Sequence, residues 1–305
     1  METYDLIIIG GGPAGLTAGI YACRSRLNTL LIEKLTPGGQ VLITDWVDNY
    51  PGFPEGISGF DLVDRMRRQA ERFNLPIVSD EILSLSFDGP NKIIKGYQTS
   101  YRSRTVIIAS GASHKKLGVQ GEELLTGKGV SYCATCDGPF YQGQDIVVVG
   151  GGDTAVQEAL YLTRFAKKVY LIHRRDQLRA AKILQEKALS HPAIEPVWKA
   201  VVEEIFGQGQ VEGVKIKKLD GTPGITLAVQ GAFVFIGIRP NTEWLKGVVP
   251  FNDQGFIKTN DTMATPIPGV FAAGDVRCKL LWQISTAVGD GATAAFAAER
   301  YLESL

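Results

Sequence analysis

Apolar and polar positions fall into two similar stretches of chain. In the first, Asp5 leads into the apolar run Leu6-Ile7-Ile8-Ile9, which reads as a strand, and the run breaks at Gly10-Gly11-Gly12-Pro13-Ala14-Gly15. Leu16 to Ser25 then read as a helix, and Thr29-Leu30-Leu31-Ile32-Glu33 as a second strand. The order recurs further on. A strand over Asp145-Ile146-Val147-Val148-Val149 breaks at Gly150-Gly151-Gly152-Asp153-Thr154-Ala155, a helix follows from about Val156 to Arg164, and a strand covers Lys168 to Ile172. Repetition of one strand, turn and helix pattern marks a duplicated architecture.

Each break has the spacing of a dinucleotide fingerprint in the context that fingerprint needs. Gly10 permits the tight turn, Gly12 lets the backbone approach a pyrophosphate, and Gly15 lets helix and strand pack closely. The phosphates belong at the helix N-terminus, with Pro13 and Ala14 beside them, where unpaired amides and the helix dipole favour an anion. About 20 positions after the first glycine stands Glu33, whose carboxylate suits a ribose diol. In the second copy, Gly152, Asp153 and Thr154 form the loop, and the position matching Glu33 opens the basic cluster His173-Arg174-Arg175, extended by Arg179. A carboxylate there would repel a 2′-phosphate, whereas arginine forks bind one bidentately, so the second site reads as one for NADPH.

The 305 residues suit two domains, and 45% hydrophobic against 21% charged residues describes a globular protein. The 32 basic and 32 acidic side chains cancel, which argues against a nucleic-acid or anionic-membrane surface. The N-terminus lacks the pattern of a secretion signal and no apolar run approaches the length of a membrane span, so the expected location is the cytoplasm.

Of the four cysteines, Cys23 and Cys278 stand alone, leaving Cys133-Ala134-Thr135-Cys136 followed by Asp137. Two cysteines three apart can be bridged or opened with little chain movement, and Asp137 is placed to exchange a proton with a leaving thiol. Zinc would need four ligands; there is no second such pair, and His114, His173 and His191 lack ligand spacing to this one. A structural disulfide remains an alternative that a cytoplasmic compartment disfavours. A redox-active pair beside two nucleotide sites is the stronger reading.

With these residues in place, the chain resembles the low-molecular-weight, bacterial-type thioredoxin reductases over essentially its whole length. The resemblance rests on the two fingerprints, Gly38-Gly39-Gln40, Asn49-Tyr50-Pro51-Gly52, Thr105 to Ala112, Cys133 to Asp137, His173 to Asp176 with Arg179, and Phe271-Ala272-Ala273-Gly274-Asp275. It implies an α/β fold of two Rossmann-like nucleotide-binding domains, the NADPH domain (114–240) inserted in a discontinuous FAD domain (1–113 and 241–305). Gly39, Gln40, Asn49, Asp275, Trp282 and Gln283 correspond to positions around the FAD. The implied path runs from NADPH through FAD to Cys136, the sulfur nearer the flavin. Cys133 then attacks the disulfide of thioredoxin or a similar small dithiol protein, with Asp137 as the acid. A homodimer follows from the resemblance alone. One departure stands out, because Trp282 occupies a position where the family commonly has arginine. Its indole is either a packing change or a group that stacks on the flavin or blocks nicotinamide, and the second case would point to another donor such as ferredoxin. A flavin redox sensor with little turnover is a further alternative.

Overall fold

The computed structural model describes residues 3–44, 47 and 49–305 and divides the chain into two compact units, 1–113 with 239–305 and 114–238. The chain starts with β1 (Thr3–Ile9), α1 (Pro13–Arg24) and β2 (Thr29–Glu33), then α2 (Gly59–Arg72) and β3 (Ile77–Ser79). A meander of β4 (Ile82–Asp88), β5 (Asn91–Gly96) and β6 (Ser100–Ile108) follows, and β7 (Ala112–His114) leads out. The second unit runs through β8 (Val130–Ser131), α3 (Ala134–Asp137), β9 (Asp145–Gly150), α4 (Asp153–Leu162), β10 (Lys168–Ile172), α5 (Lys182–Leu189) and β11 (Ile194–Val197). It closes with β12 (Ala200–Phe206), β13 (Gly213–Lys218), β14 (Ile225–Ala228) and β15 (Gly231–Phe235). β16 (Ile238–Pro240) pairs with β7, and β17 (Val270–Ala272) and α6 (Ile284–Glu303) complete the first unit.

In the first unit the strand order is β3-β2-β1-β6-β5-β4, with β17 also on β6. The pairs from β3 to β6 and the β6–β17 pair are parallel, and the meander pairs are antiparallel. Parallel strands covered on both faces need apolar residues on both, which is why β1 reads as a run rather than an alternation. Leu6 and Ile8 pack with α1 and α6, and Ile7 and Ile9 with Val106, Ile108 and Leu245 on the other face. Helices α1 and α6 approach closely because the contact is built from small residues, among them Ala14, Ala18 and Ala294. A Cβ on Gly291 of α6 would overlap the Ala14 carbonyl oxygen. Helix α2 starts at Ser58, whose hydroxyl accepts the Asp61 amide at 3.0 Å, and buries Leu62, Val63, Met66 and Ala70.

The second unit repeats the plan with a parallel sheet in the order β11-β10-β9-β15-β8, and carries a separate antiparallel sheet of β12, β13 and β14. Both fingerprint helices begin three residues before the apolar pattern suggests, at Pro13 and Asp153. Gly12 and Gly152 are their extended N-caps, and a proline fits the first helical turn, where no amide bond is lost. Among the described residues no helix is long and apolar enough to cross a membrane.

Candidate active site and nucleotide grooves

Register explains why the acidic residue sits so far along the chain from its glycines. Ile9 of β1 pairs with Ile32 of β2, so Gly10 and Glu33 emerge side by side at the carboxyl ends of neighbouring strands. Glu33 Oε2 accepts the Gly11 amide at 2.6 Å and Oε1 the Leu35 amide at 3.0 Å, which fixes the carboxylate beside the loop. The three glycines have different neighbours. Gly10 has φ +108°, and Cβ atoms on Gly10 and Gly15 would overlap the Ala109 and Gly10 carbonyl oxygens. A Cβ on Gly12 would meet nothing nearer than Gly39 Cα, at 4.0 Å. Gly10 and Gly15 are therefore packing glycines, and Gly12 faces open space.

That space is a groove of about 920 Å³ in the first unit. Gly10, Gly12, Pro13, Ala14, Glu33, Gly39, Gln40, Asp275 and Gln283 line it. Gly39 stands against Gly12 because the Gly38 amide donates to Gly11 O at 2.8 Å. Gln283 caps α6, and its Oε1 accepts Asn49 Nδ2 at 3.0 Å, which joins two predicted residues from opposite ends of the chain. Asp275 Oδ1 is buried and faces the Lys279 ammonium at 3.2 Å. Burial pushes the Asp275 carboxyl above its ordinary range, with Lys279 pulling it down and Asp290 pushing it up.

The groove fits an extended dinucleotide. The N-terminus of α1 carries no acidic side chain in its first turn, so its free amides face the groove with their partial positive charge uncancelled. Gly12 leaves the backbone bare there, and Glu33, Gln40 and Asp275 supply polar groups along the wall. Several lining residues were not foreseen, among them Asp80, Ser110, Arg239, Glu243 and Trp244. Arg239 pairs with Glu243, and Asn241 donates to Ser110 O at 2.8 Å while accepting the Ser113 hydroxyl at 3.1 Å. An Asn beside a Pro after a strand could have flagged that turn. Trp282 does not line the groove: its ring packs against Phe256 at 5.3 Å, and Nε1 is buried without a hydrogen-bond partner.

In the second unit Val149 pairs with Ile172, so His173 takes the place beside Gly150 that Glu33 takes beside Gly10. The imidazole is 5% exposed and lies so close over Gly151 that a Cβ there would overlap the ring. Burial, then Arg179, Arg175 and Arg174, push His173 below the ordinary imidazole range. Arg174, Arg175 and Arg179 are exposed, and none is in an ion pair among the described residues. The Arg179 amide donates to Gly151 O at 2.6 Å and the Ala181 amide to Asp153 Oδ1 at 2.7 Å, which ties this arginine's segment to the glycine loop. A Cβ on Gly152 would meet nothing within 4 Å, and Thr154 is exposed.

Cys133 and Cys136 are joined in a disulfide with Cα atoms 5.3 Å apart, also in the second unit. Cys133 is the N-cap of α3, its amide anchored by Ser131 Oγ at 3.1 Å. Its Sγ accepts the Cys136 amide at 3.2 Å and lies 3.4 Å from Thr135 Oγ1. When the bridge opens, that amide favours the thiolate at Cys133. Asp137 follows in the same short helix and is half-buried. Behind it, Tyr132 donates to the buried Glu122 at 2.9 Å and stacks on His114 at 5.2 Å. Among the described residues no cluster of His, Cys, Asp or Glu could hold a metal ion.

Comparison with known proteins agrees over the full chain. The profile of the family described as pyridine nucleotide-disulphide oxidoreductase matches residues 4–291. A protein named thioredoxin reductase from Peptoclostridium acidaminophilum is 48% identical, covering 99% of this chain and 98% of its own. The thioredoxin reductase of Bacillus subtilis is 45% identical, covering 100% and 96%. The crystal structure of thioredoxin reductase from Streptococcus pyogenes superposes with a TM-score of 0.96 at 47% identity, covering 99% of both chains.

Proposed function

Since the chain belongs to the pyridine nucleotide-disulphide oxidoreductase family, we propose that it is a thioredoxin-disulfide reductase that draws electrons from NADPH through FAD and the Cys133–Cys136 disulfide. The observation that carries this is the disulfide itself, set at a helix N-terminus with the Cys136 amide on Cys133 Sγ. A purely structural bridge has no use for a sulfur already provided with a thiolate-stabilising donor.

Bound in the first unit's groove, FAD supplies a two-electron acceptor that takes hydride and returns the pair to a disulfide. Gly12, Pro13 and Ala14 would receive its pyrophosphate, Glu33 a ribose, and Gly39, Gln40, Asn49, Asp275 and Gln283 the remainder of the groove's occupant. Arg174, Arg175 and Arg179 would grip the 2′-phosphate of NADPH beside Gly152, Asp153 and Thr154, while the uncharged His173 shapes the loop. Two electrons and two protons open the bridge to two thiols. Cys133 passes its thiol proton to the Asp137 carboxylate and, as thiolate, attacks the disulfide of thioredoxin. A Cys133–thioredoxin mixed disulfide forms as the old bond breaks, and the leaving sulfur takes a proton from Asp137. Cys136 attacks Cys133 Sγ, its thiol proton passing to the departing thioredoxin sulfur, which releases dithiol thioredoxin and restores the bridge. We take the working form to be a cytoplasmic homodimer. A different donor has only Trp282 for support, and an indole packed on Phe256 outside the groove lining gives that reading no help.

Anaerobic NADPH should bleach the flavin band of the purified yellow protein, and absence of bleaching sinks the proposal. With thioredoxin and a disulfide dye added, wild type should turn over. Cys136→Ser should bleach yet fail to turn over.

A further inference from the structure

Behind the groove wall lies a buried cluster of four charges whose members are unequally held. Lys279 is 7% exposed, Asp290 10% and Arg277 13%. The Lys279 ammonium has three partners, each at 3.2 Å: Asp275 Oδ1, Asp290 Oδ2 and Thr286 Oγ1. Asp290 is fully engaged, with Arg277 at 2.8 Å on Oδ1 and the Gly274 amide at 3.1 Å on Oδ2. Arg277 is anchored in turn by Thr259 Oγ1 at 3.0 Å. Asp275 differs from the rest. It lines the groove with 38% of its side chain exposed, and its buried Oδ1 faces the ammonium alone among the cluster's cations.

We propose that Lys279, outside the groove lining, is a positioning residue for the flavin groove, its ammonium keeping the Asp275 carboxylate in place as a charged hydrogen-bond acceptor on the groove wall. The inference rests on the reading of that groove as the FAD site. Asp290 and Arg277 form the scaffold: Asp290 fixes Lys279 from behind, and Arg277 offsets the second carboxylate so that the ammonium remains free to serve Asp275. Without Lys279, Arg277 still pairs with Asp290 alone, and the charge left acting on Asp275 is the repelling Asp290. Buried like charges resolve by protonation of one of them. Asp275, lacking any other donor at Oδ1, is the member that takes the proton, and its oxygen then turns from acceptor to donor. Burial already pushes Asp275 upward, and loss of Lys279 removes the group that opposes the push.

The test measures release of FAD from the holoenzyme on dilution, followed by flavin fluorescence, from the most acid to the most alkaline pH at which the holoenzyme stays folded. Wild type should release at a rate that is flat over the upper part of the range. Lys279→Met should release about tenfold faster or more near the acid end, the scale of a lost charge-assisted hydrogen bond, and approach wild type near the alkaline end. Asp275→Asn should release faster at every pH with no profile, and adding Lys279→Met to it should bring none back. If Lys279→Met does not fold, Lys279→Gln keeps N–H donors without the charge and carries the same expectation. Wild-type rates at every pH overturn the proposal, and so does an acceleration by one constant factor, which would be packing alone. A wild-type protein that purifies without FAD instead defeats the reading of the groove.

Discussion

Gly12 and Gly15 belong to one fingerprint but should fail in opposite ways when each is changed to alanine. Gly15 lies in α1, where a Cβ would sit more than 1 Å inside the 3.0 Å approach that Cβ atoms keep, and the atom it meets is the Gly10 carbonyl oxygen. Backbone cannot swing aside as a long side chain does, so α1 must lift from β1. Overpacking of this kind costs about 1–3 kcal/mol, of which helix propensity returns up to about 1 kcal/mol. At roughly 2–4 °C per kcal/mol for a unit of this size, the Gly15→Ala thermal midpoint should fall by several degrees. Gly12 has φ −73° and open space around its Cβ position, so alanine there strains nothing. The midpoint of flavin-free Gly12→Ala should hold or rise slightly, since alanine reduces the freedom of the unfolded chain by about 0.4–1 kcal/mol. Its methyl group instead occupies the groove, and FAD should leave faster than from wild type. Thermal unfolding by tryptophan fluorescence, read beside flavin release, separates the two. Equal destabilisation by both changes, or wild-type flavin retention in Gly12→Ala, refutes the division into packing and groove glycines. The second fingerprint supplies an internal comparison: Ala155 occupies the position matching Gly15 and is fully buried, so β9 and α4 already accommodate a methyl group there.

Two further outcomes follow from the second unit. Changing Arg174 and Arg175 together to alanine should raise the KM for NADPH about tenfold to a hundredfold, the scale of one or two lost charge-assisted hydrogen bonds, while the KM for NADH changes little; equal effects on both would show that the arginines do not read the 2′-phosphate. His114 and His173 are both pushed below the ordinary imidazole range, His114 by burial and His173 by burial and then its arginine neighbours. Their unfolded counterparts bind protons more readily, so stability should be lost as pH falls through and below about 6.5. Midpoints near neutral and mildly acid pH measure that loss, and His114→Phe, which keeps a ring against Tyr132, should reduce it.

How much could be read from the sequence depended on how local each feature was. The strands, glycine loops and fingerprint helices were legible because a buried parallel strand needs an unbroken apolar run and the loop follows within a few residues. Helix starts were misplaced by three residues because Pro13 and Asp153 carry no apolar signal. The groove wall was only partly visible. Glu33 could be placed because a fixed offset from the glycines reflects the β1–β2 register. Ser110, Arg239 and Trp244 could not, since they reach the groove through chain segments brought together by the fold. Asp290 is the single acidic residue in the small-residue stretch 284–298 of α6, which is itself a signal. A charge in such a setting is paired or costly, yet its partners, Lys279 and Arg277, lie on an irregular segment that no periodicity marks.

Under the proposed function, the contrast between the two loops also divides the work of nucleotide choice. Both use the same register, which delivers one side chain to the edge of the glycine turn. In the first loop that side chain is a carboxylate bonded to the Gly11 amide and fixed on the groove wall. In the second it is an imidazole closed over Gly151, pushed below the ordinary imidazole range by its burial first and by the arginines around it second. A basic cluster read from sequence treats His173, Arg174, Arg175 and Arg179 as equivalent, but burial divides them. A neutral ring cannot attract a phosphate dianion over distance, whereas three exposed guanidinium groups in no ion pair among the described residues can. On the proposed reading, preference for a 2′-phosphate therefore rests on the arginines. His173 contributes by filling the place where a carboxylate would otherwise repel it.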